Sequence, residues 1–304
     1  MTYLRPIICF YMSKNIICFG EMLWDELPSG AIPGGAPMNV AIRLTSFGNK
    51  TSIISKIGSD TRGAELIQLL SEKQVNTSFI QHDNQLATGR VTVTLDQFGT
   101  ATYDIVRPVA WDNISFSDEI ASLVPIADYF VFGSLVTRDE RSKNTLDKLL
   151  PLAKTKVFDV NLRAPFFDVN SVFHYMKQAD IIKLNDDELT LLMANNQLSL
   201  EEMTVLLAKQ TKTDIICVTR GANGALLYCA NTFYEHPGFQ VTVADTIGAG
   251  DSFLATFIHL LATTSDYQTI ITQACAVGAL VASKKGANQT ITDEEIKQLI
   301  NSNQ

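Results

Sequence analysis

Residues 244–253 read ADTIGAGDSF and lie between a strand-like VTV at 241–243 and an apolar helical pattern. The glycines at 248 and 250 let the backbone approach a ligand closely, and the start of the helix presents free N–H groups. Such a turn suits an anion, in particular a phosphoryl group that is acquiring charge. Asp251 falls in the first helical turn, where the helix dipole stabilises its carboxylate. A carboxylate beside an anion hole indicates phosphate transfer to a hydroxyl; the alternative is a Gly-rich turn in which Asp251 only caps the helix.

Outside this segment, short apolar runs alternate with helical patterns along most of the chain. The predicted strands are Asn15–Phe19, Thr51–Ile57, Asp128–Phe132, Lys156–Val160, Asp180–Leu184 and Asp214–Thr219. Their interiors are nearly continuously apolar, as expected of parallel strands that are covered on both faces. The predicted helices are Thr61–Glu72, Asp139–Ala153, Leu200–Lys209 and Ala249–Thr263. These repeated βα units predict an α/β fold with a mostly parallel sheet and helices on both of its sides.

Two segments break this alternation. Thr88–Asp96 and Thr100–Arg107 show period-2 polarity around the QFG at 97–99, which is typical of a β-hairpin. Gly30–Gly35 is a second Gly/Pro-rich piece that flanks a strand. We interpret the two as a small β-layer that projects from a single main domain. The apolar face of the hairpin needs a cover, which favours a homodimer through this layer.

The composition limits the class of protein. Of the 304 residues, 46% are hydrophobic and 18% are charged, which is typical of a globular chain. The formal net charge of −8 disfavours nucleic acid as a partner. The apolar stretches are too short to span a bilayer, so no membrane partner is expected.

The cysteines predict the cellular compartment of the protein, and the first residues predict where its folded domain begins. The five cysteines are scattered and form no CxxC pair, which predicts reduced core thiols and a cytoplasmic protein. The first predicted strand begins near Asn15, and residues 1–11 show no pattern that would pack. We therefore predict a disordered extension at residues 1–14 and a folded domain at residues 15–304.

A second glycine motif, PGGAPMNVA, occupies residues 33–41. Gly34 and Gly35 would let substrate hydroxyls reach backbone amides, and Asn39 would hydrogen-bond a polyol from the face of the following helix. The alternative is a tight turn followed by an ordinary helix start.

Other signatures are missing from the sequence. It contains no GxxxxGK[ST], which excludes a P-loop protein. Residues 248–250 lack the third glycine of GxGxxG and lie late in the chain, which disfavours a Rossmann dinucleotide site. There is also no GxSxG elbow and no HRD or DFG sequence.

Taken together, the motifs at 34–41 and 245–251 resemble the two signatures of the PfkB carbohydrate kinase family, the ribokinase-like group. The resemblance runs from about Asn15 to about Asn301 and includes GEMLWD at 20–25, DVNLR at 159–163, NDDE at 185–188 and TRGANG at 219–224. It implies a ribokinase-like three-layer α/β/α sandwich with a small β-lid made of segments near 22–35 and 88–110. It also implies transfer of the γ-phosphoryl group of MgATP to a primary alcohol of a sugar.

The resemblance assigns roles to individual residues. Asp251 accepts the hydroxyl proton, while backbone N–H groups of Gly248, Ala249, Gly250 and Asp251 hold the developing charge. The implied sugar-binding residues are Asp25, Gly34, Gly35, Asn39 and Arg163. The implied nucleotide-binding residues are Asn185, Glu188, Thr219, Gly221 and Gly224. Magnesium is assigned, through water, to Asn185 and Glu188, and a monovalent cation such as potassium to Asp245, the Ile247 carbonyl and Thr290.

Several of these residues also have simpler interpretations. Asp25 and Arg163 follow strand ends, where open α/β sheets place ligands, but they also fit a solvated turn acid and a surface ion pair. Asn185 and Glu188 fit an N-cap and the third helical position of a capping box. The loop at 286–291, GANQTI, lacks the proline that the family commonly has shortly after Gly-Ala, which leaves potassium dependence open.

The motifs at 20–25, 35–39 and 159–163 are most similar to the fructokinase branch of the family, which implies fructose as the substrate. The alternatives are another sugar or sugar-acid kinase, such as 2-keto-3-deoxygluconate kinase or ribokinase. A nucleoside kinase is less favoured. From a different class, a non-catalytic sugar or nucleotide sensor on the same fold stays open, and a dinucleotide-binding oxidoreductase is disfavoured.

Overall fold

The structure is a computed structural model that describes residues 13–27, 30–95, 101–194 and 197–303, with the backbone alone for residues 93–95 and 101–103. Two predictions lie outside these residues: the disordered extension up to residue 12, and the turn at 97–99. Ser13 and Lys14 have no regular structure, but the Lys14 amide donates to Asn49 Oδ1 (3.3 Å). The chain therefore contacts the body of the domain from Lys14 onward.

Within the described residues the strands form a large and a small sheet. In chain order they are β1 (Asn15–Phe19), β2 (Leu23–Leu27), β3 (Gly30–Gly34), β4 (Lys50–Gly58), β5 (Ile80–Asp83), β6 (Gly89–Leu95), β7 (Ala101–Ile105), β8 (Tyr129–Gly133), β9 (Lys156–Asp159), β10 (Ile181–Asn185), β11 (Ile215–Thr219), β12 (Ala225–Cys229) and β13 (Thr232–His236). The large sheet has the order β13-β12-β11-β10-β9-β8-β1-β4-β5. Its strands are parallel except β12, which is antiparallel to both neighbours.

The helices of the described residues differ in how they begin. They are α1 (Ala36–Ser46), α2 (Thr61–Glu72), α3 (Asp118–Leu123), α4 (Glu140–Leu149), α5 (Val169–Met176), α6 (Asp186–Met193), α7 (Leu200–Thr211), α8 (Ala249–Leu261), α9 (Tyr267–Ala282) and α10 (Asp293–Asn301). All but α1 and α8 start at a side chain that accepts a hydrogen bond from a first-turn amide. α1 and α8 start at Gly35 and Gly248 without a side-chain cap. These two helices leave first-turn amides without a side-chain acceptor.

Side chains that alternate along the large sheet separate two hydrophobic cores. On one face, residues such as Ile16, Cys18 and Val131 pack against α1, α8 and α9. On the other face, Ile17 and Phe130 lie in a core with α4, α5 and α7. Because both faces are covered by helices, the predicted three-layer α/β/α sandwich is confirmed.

The predicted elements match the observed ones closely, and one difference has a clear cause. Helix Thr61–Glu72 is confirmed at both ends, and Asp180–Leu184 is found one residue later as β10. Helix Asp139–Ala153 was predicted too long, since α4 ends at Leu149 and a 3-10 turn follows at Leu150–Leu152. Pro151 within that turn has no N–H to continue the helix.

The small sheet contains both segments that broke the alternation. Its order is β3-β2-β6-β7, and β6 and β7 form the predicted antiparallel hairpin. β3 pairs antiparallel with β2, and β2 pairs parallel with β6. We call this four-stranded sheet the lid. Among the described residues, no helix is long and apolar enough to cross a membrane.

Candidate active site

A cavity of about 920 Å³ lies where the carboxyl ends of the parallel strands meet the lid. Glu21 after β1, Arg163 after β9 and Thr219 at the end of β11 line it from the large sheet. Asp25 and Val91 line it from the lid. β1 and β8 are neighbours in the large sheet, but β4 and β5 lie on one side of this pair and β9 to β13 lie on the other. In open α/β sheets, ligands bind at the carboxyl ends of the strands where the strand order reverses in this way.

The N-terminus of α8 borders this cavity and leaves three amides open. Gly248 has a φ of +75°, which turns the chain sharply into the helix. The Ala249 amide donates to the Thr246 carbonyl (3.2 Å), so it is not available to a ligand. The amides of Gly248, Gly250 and Asp251 have no acceptor among the described residues. Three of the four amides that the sequence analysis assigned to an anion hole are therefore open.

Asp251 meets Asn39 across the α1–α8 contact. Asn39 Nδ2 donates to Asp251 Oδ2 (2.8 Å), which joins the two sequence motifs at one carboxylate. Burial and the nearby Asp159 raise the pKa of Asp251 to about 6, although the Asn39 hydrogen bond and the charges of Lys183 and Arg163 oppose the rise. The carboxylate is thus ionised at neutral pH and more basic than an exposed aspartate.

A buried ion pair that the sequence analysis missed lies next to this helix terminus. Lys183 on β10 donates from Nζ to Oδ1 of Asp159 on β9 (3.0 Å), and both residues are buried. The Lys183 ammonium lies 3.4 Å from the position that a Cβ on Gly250 would take. Burial alone would lower the Lys183 pKa, but Asp159, Glu188 and Asp251 raise it above its usual value. The signal for this residue was a lysine inside the apolar strand IIKLN at 181–185.

The predicted sugar-binding residues lie in one part of the cavity. Asp25, Gly35, Asn39 and Arg163 line it, and Gly34 packs against the Asp25 carboxylate. Burial raises the pKa of Asp25, while the Arg163 charge lowers it. Gly35 has a φ of +112°, and a Cβ there would lie 2.5 Å from the Glu21 carbonyl, so only glycine fits.

Glu21 is a further carboxyl group that the sequence analysis named only as part of a motif. It is 3% exposed and lines the cavity. Burial and the Asp251 charge raise its pKa to about 7, while backbone hydrogen bonds and Arg163 lower it. The pattern GEMLWD already placed a glutamate at a strand end, but its burial depends on how α1 packs over it.

Asn185 and Glu188 form the capping box that was the alternative interpretation. Asn185 Oδ1 accepts from the Glu188 amide (2.7 Å), and Glu188 Oε2 accepts from the Asn185 amide (2.9 Å). The other oxygen of Glu188 accepts from the Leu162 amide (2.7 Å). Glu188 therefore holds the loop that carries Arg163 against α6. In the described part of the chain, Asp187 beside it lines the cavity with no hydrogen bond to its carboxylate.

The predicted nucleotide-binding turn borders the same cavity. Thr219, Gly221 and Gly224 line it, where β11 turns back into β12. Gly224 has a φ of +78° and packs against the backbone of His236 and Gly238, which leaves no space for a Cβ. The cavity is also lined by apolar residues that the sequence analysis did not identify: Phe239, Val241, Val243, Ala279 and Ala282.

Two of the three residues assigned to a monovalent cation, Asp245 and Thr290, have other partners. Asp245 accepts from the amides of Ile247 (3.0 Å) and Gly286 (3.1 Å), so it ties two loops together. The Thr290 carbonyl accepts from the Lys284 ammonium (2.9 Å), which also pairs with Glu295 (2.6 Å). An ammonium at the Thr290 carbonyl does not fit a potassium ion at the same oxygen, because the two like charges repel.

Comparison with known proteins gives the family. A family model described as pfkB family carbohydrate kinase matches residues 30–294. Fructokinase-2 of Solanum lycopersicum is 31% identical over 310 residues, which cover 90% of this chain and 92% of that protein. An uncharacterized sugar kinase from Pyrococcus horikoshii in complex with ATP is 28% identical, with a TM-score of 0.80 and coverage of 94% and 99%.

A more distant likeness shows the fold alone. A double mutant of the fructokinase from Vibrio cholerae O395, bound to fructose, ADP and potassium ion, is 23% identical with a TM-score of 0.82. It covers 94% of this chain and 98% of that one. With the family model spanning most of the chain, the resemblance of the two glycine motifs is confirmed, and the protein belongs to the PfkB family of carbohydrate kinases.

Proposed function

We propose that this protein is an ATP-dependent sugar kinase that transfers the γ-phosphoryl group of MgATP to a primary hydroxyl of a sugar, with fructose as the preferred acceptor. One observation carries the proposal: the Asp251 carboxylate and three open amides border the same cavity. A proton acceptor and an anion hole are the two groups that this transfer requires. The family and the fructokinase relative support the assignment.

The chemistry follows from these groups. The sugar oxygen attacks the γ-phosphorus, the bond to the β-phosphate oxygen breaks, and the hydroxyl proton goes to Asp251. The amides of Gly248, Gly250 and Asp251 donate to the oxygens that gain charge, and the Lys183 ammonium adds a positive charge beside them. Phosphoryl transfer depends mostly on position and electrostatics, so no covalent nucleophile is needed.

The charge of the sugar-binding part favours a neutral substrate. The described lining of the cavity carries six carboxyl groups, including those of Glu21, Asp25 and Asp251, against two cations, Arg163 and Lys183. A polyol offers hydroxyl donors to these oxygens, whereas a sugar acid would bring a further carboxylate beside them. This balance supports fructose over 2-keto-3-deoxygluconate.

The nucleotide and magnesium belong to the same proposal. The apolar residues Phe239 and Val243 suit a base, and they line the same cavity as the turn at 219–224 and the start of α8. Magnesium keeps most of its waters and binds through one or two carboxylates and the phosphates. Asp186 and Asp187 fit this demand better than Glu188, because both oxygens of Glu188 already accept amide hydrogen bonds. When bound, magnesium supplies charge that neutralises the phosphates.

The proposal also includes a cytoplasmic homodimer. The cysteines of the described residues are buried free thiols, as expected in a reducing compartment. The lid turns one face to the cavity, and a sheet of this size needs a cover on its other face. A second copy of the lid would supply that cover.

A substrate panel tests the choice of sugar. With MgATP, we expect kcat/KM for fructose to exceed that for ribose, 2-keto-3-deoxygluconate and adenosine by about 10- to 100-fold, because unpaired polar groups penalise the wrong acceptor. ADP release under initial-rate conditions measures this. A higher kcat/KM for another sugar would overturn fructose but not the kinase. If no compound in the panel supports ADP release, a non-catalytic sensor is favoured.

The pKa of Asp251 predicts how activity depends on pH. Below about pH 6 the carboxyl is protonated and cannot accept the hydroxyl proton, so kcat/KM for the sugar should fall as pH decreases through 6 and level off above it. A pH–rate profile from pH 5 to 8 measures this limb. The residual kcat/KM of an Asp251→Asn variant should not fall as the pH decreases through 6. A wild-type profile that stays flat down to pH 5 would remove Asp251 from proton transfer.

A further inference from the structure

Asn39 has a second hydrogen bond, on the side away from Asp251. Asn288, in the loop between α9 and α10, donates from Nδ2 to Asn39 Oδ1 (3.0 Å). Asn39 in turn donates from Nδ2 to Asp251 Oδ2 (2.8 Å). The three side chains therefore form one chain of hydrogen bonds, in which every donor points toward the carboxylate.

The direction of this chain matters because the two ends of an amide differ. If the Asn39 amide turned over, its oxygen would face the Asp251 carboxylate and the carboxylate would lose a donor. Asn39 is 4% exposed, so water does not reach it freely to compensate. The Asn288 donor excludes the turned orientation, since it would then meet the NH₂ group of Asn39.

The position of Asn288 is fixed by a neighbouring contact. Arg43 lies one helical turn after Asn39 on α1 and is buried. Its Nε donates to Ser252 Oγ (3.2 Å) on α8, and its Nη2 donates to the Gln289 carbonyl (2.8 Å). α1 thus holds both α8 and the loop at 286–290, and Asn288 sits in the held part of that loop.

We propose that Asn288 is a positioning residue for phosphoryl transfer, which acts by fixing the Asn39 amide so that it donates to Asp251. This role rests on the proposed function for its catalytic meaning, but not for the hydrogen-bond geometry. No sequence motif pointed to Asn288, because the contact joins residues that lie 249 positions apart.

Several charged groups surround Asp251 and stay unchanged in the test. They are Asp159 on β9, Lys183 on β10, Arg163 in the loop after β9 and Glu21 after β1. Any shift in the titration of Asp251 on replacing Asn288 must therefore come through Asn39 or from the new side chain itself.

The test compares three variants by carbon-13 NMR titration of aspartate carboxyl groups, with the Asp251 signal assigned from an Asp251→Asn variant. In Asn288→Ala, the Asn39 amide is released, and we expect the Asp251 pKa to rise by about 0.5 to 1 unit. In Asn288→Leu, a neutral side chain of similar size replaces the donor, and the same rise is expected. Gln289→Ala is the matched control, because that side chain is exposed and, within the described residues, bonds the Lys285 carbonyl alone; it should leave the pKa unchanged.

The outcomes separate the two proposals. An Asp251 pKa that is the same in Asn288→Ala as in wild type overturns the positioning role; if that variant does not fold, Asn288→Leu decides by the same criterion. In the active enzyme, the acid limb of kcat/KM should move by the same amount as the NMR pKa while KM for ATP stays constant. A limb that stays in place despite a shifted pKa also overturns the role. A wild-type protein that phosphorylates no sugar contradicts the proposed function. The NMR titration still tests whether Asn288 fixes the Asn39 amide toward Asp251.

Discussion

Replacing Asp251 by asparagine is expected to lower kcat by about 10²- to 10⁴-fold, because the variant keeps the shape of the side chain but cannot accept the hydroxyl proton. The amides of Gly248 and Gly250 stay in place, so some transfer from positioning alone should remain. Sugar and ATP affinities should change little, since neither the lid nor the nucleotide-binding turn is altered. Steady-state ADP release measures kcat, and equilibrium binding measures both affinities.

The thermal midpoint of the variant is the control for folding. Asn39 can still donate to the remaining oxygen of the new side chain, so the α1–α8 contact should persist. A variant with a wild-type melting temperature and a wild-type kcat would show that Asp251 does not accept the hydroxyl proton; capping of α8, the alternative that the sequence left open, does not occur, because α8 has no side-chain cap.

Replacing Gly248 by alanine is expected to lower kcat by about 10²- to 10³-fold, the loss typical of a damaged oxyanion hole. The φ of +75° disfavours any residue with a Cβ, and the new methyl would lie 2.6 Å from the Ala287 Cα. The turn must therefore move, and the open amides of α8 move with it. Backbone strain of this kind also costs about 1–3 kcal/mol of stability, so the melting temperature should fall.

Gly48→Ala provides a matched comparison for this second variant. Gly48 has a φ of +84°, but no atom lies within 4 Å of its added Cβ, and it follows α1 away from the cavity. This variant should lose stability with an unchanged kcat. If both variants lose kcat equally, general loosening of the fold explains the effect; if neither loses it, the turn at Gly248 does not position the anion hole.

Much of the fold was predictable because its signals are local. A strand such as Ile181–Asn185 is apolar almost throughout, and a helix such as Thr61–Glu72 starts at the capping residue Asp60. The predicted end of α4 was wrong because the apolar helical pattern continues past Leu149, whereas Pro151 stops the helix and the chain forms a 3-10 turn there. Of the glycines in the two motifs, Gly35 and Gly248 have a positive φ at a helix start, whereas Gly34 and Gly250 do not.

The contacts that complete the site were not predictable in the same way. Lys183 and Asp159 pair because β9 and β10 are neighbours, which depends on the strand order and not on either segment. The Asn39–Asp251 bond joins two motifs that the sequence analysis assigned to different tasks. Asn185 and Glu188 show the opposite case: a local capping rule described the two hydrogen bonds between them, although not the one that Glu188 accepts from the Leu162 amide.

The central claim is that this chain moves a phosphoryl group from ATP to a sugar hydroxyl, and the product tests it most directly. Wild-type protein would be incubated with fructose, ATP and magnesium, and the mixture analysed by mass spectrometry and phosphorus-31 NMR. The account predicts one fructose monophosphate for each ADP formed, with a phosphate ester on a primary carbon. ADP that accumulates with inorganic phosphate and no sugar phosphate would contradict it.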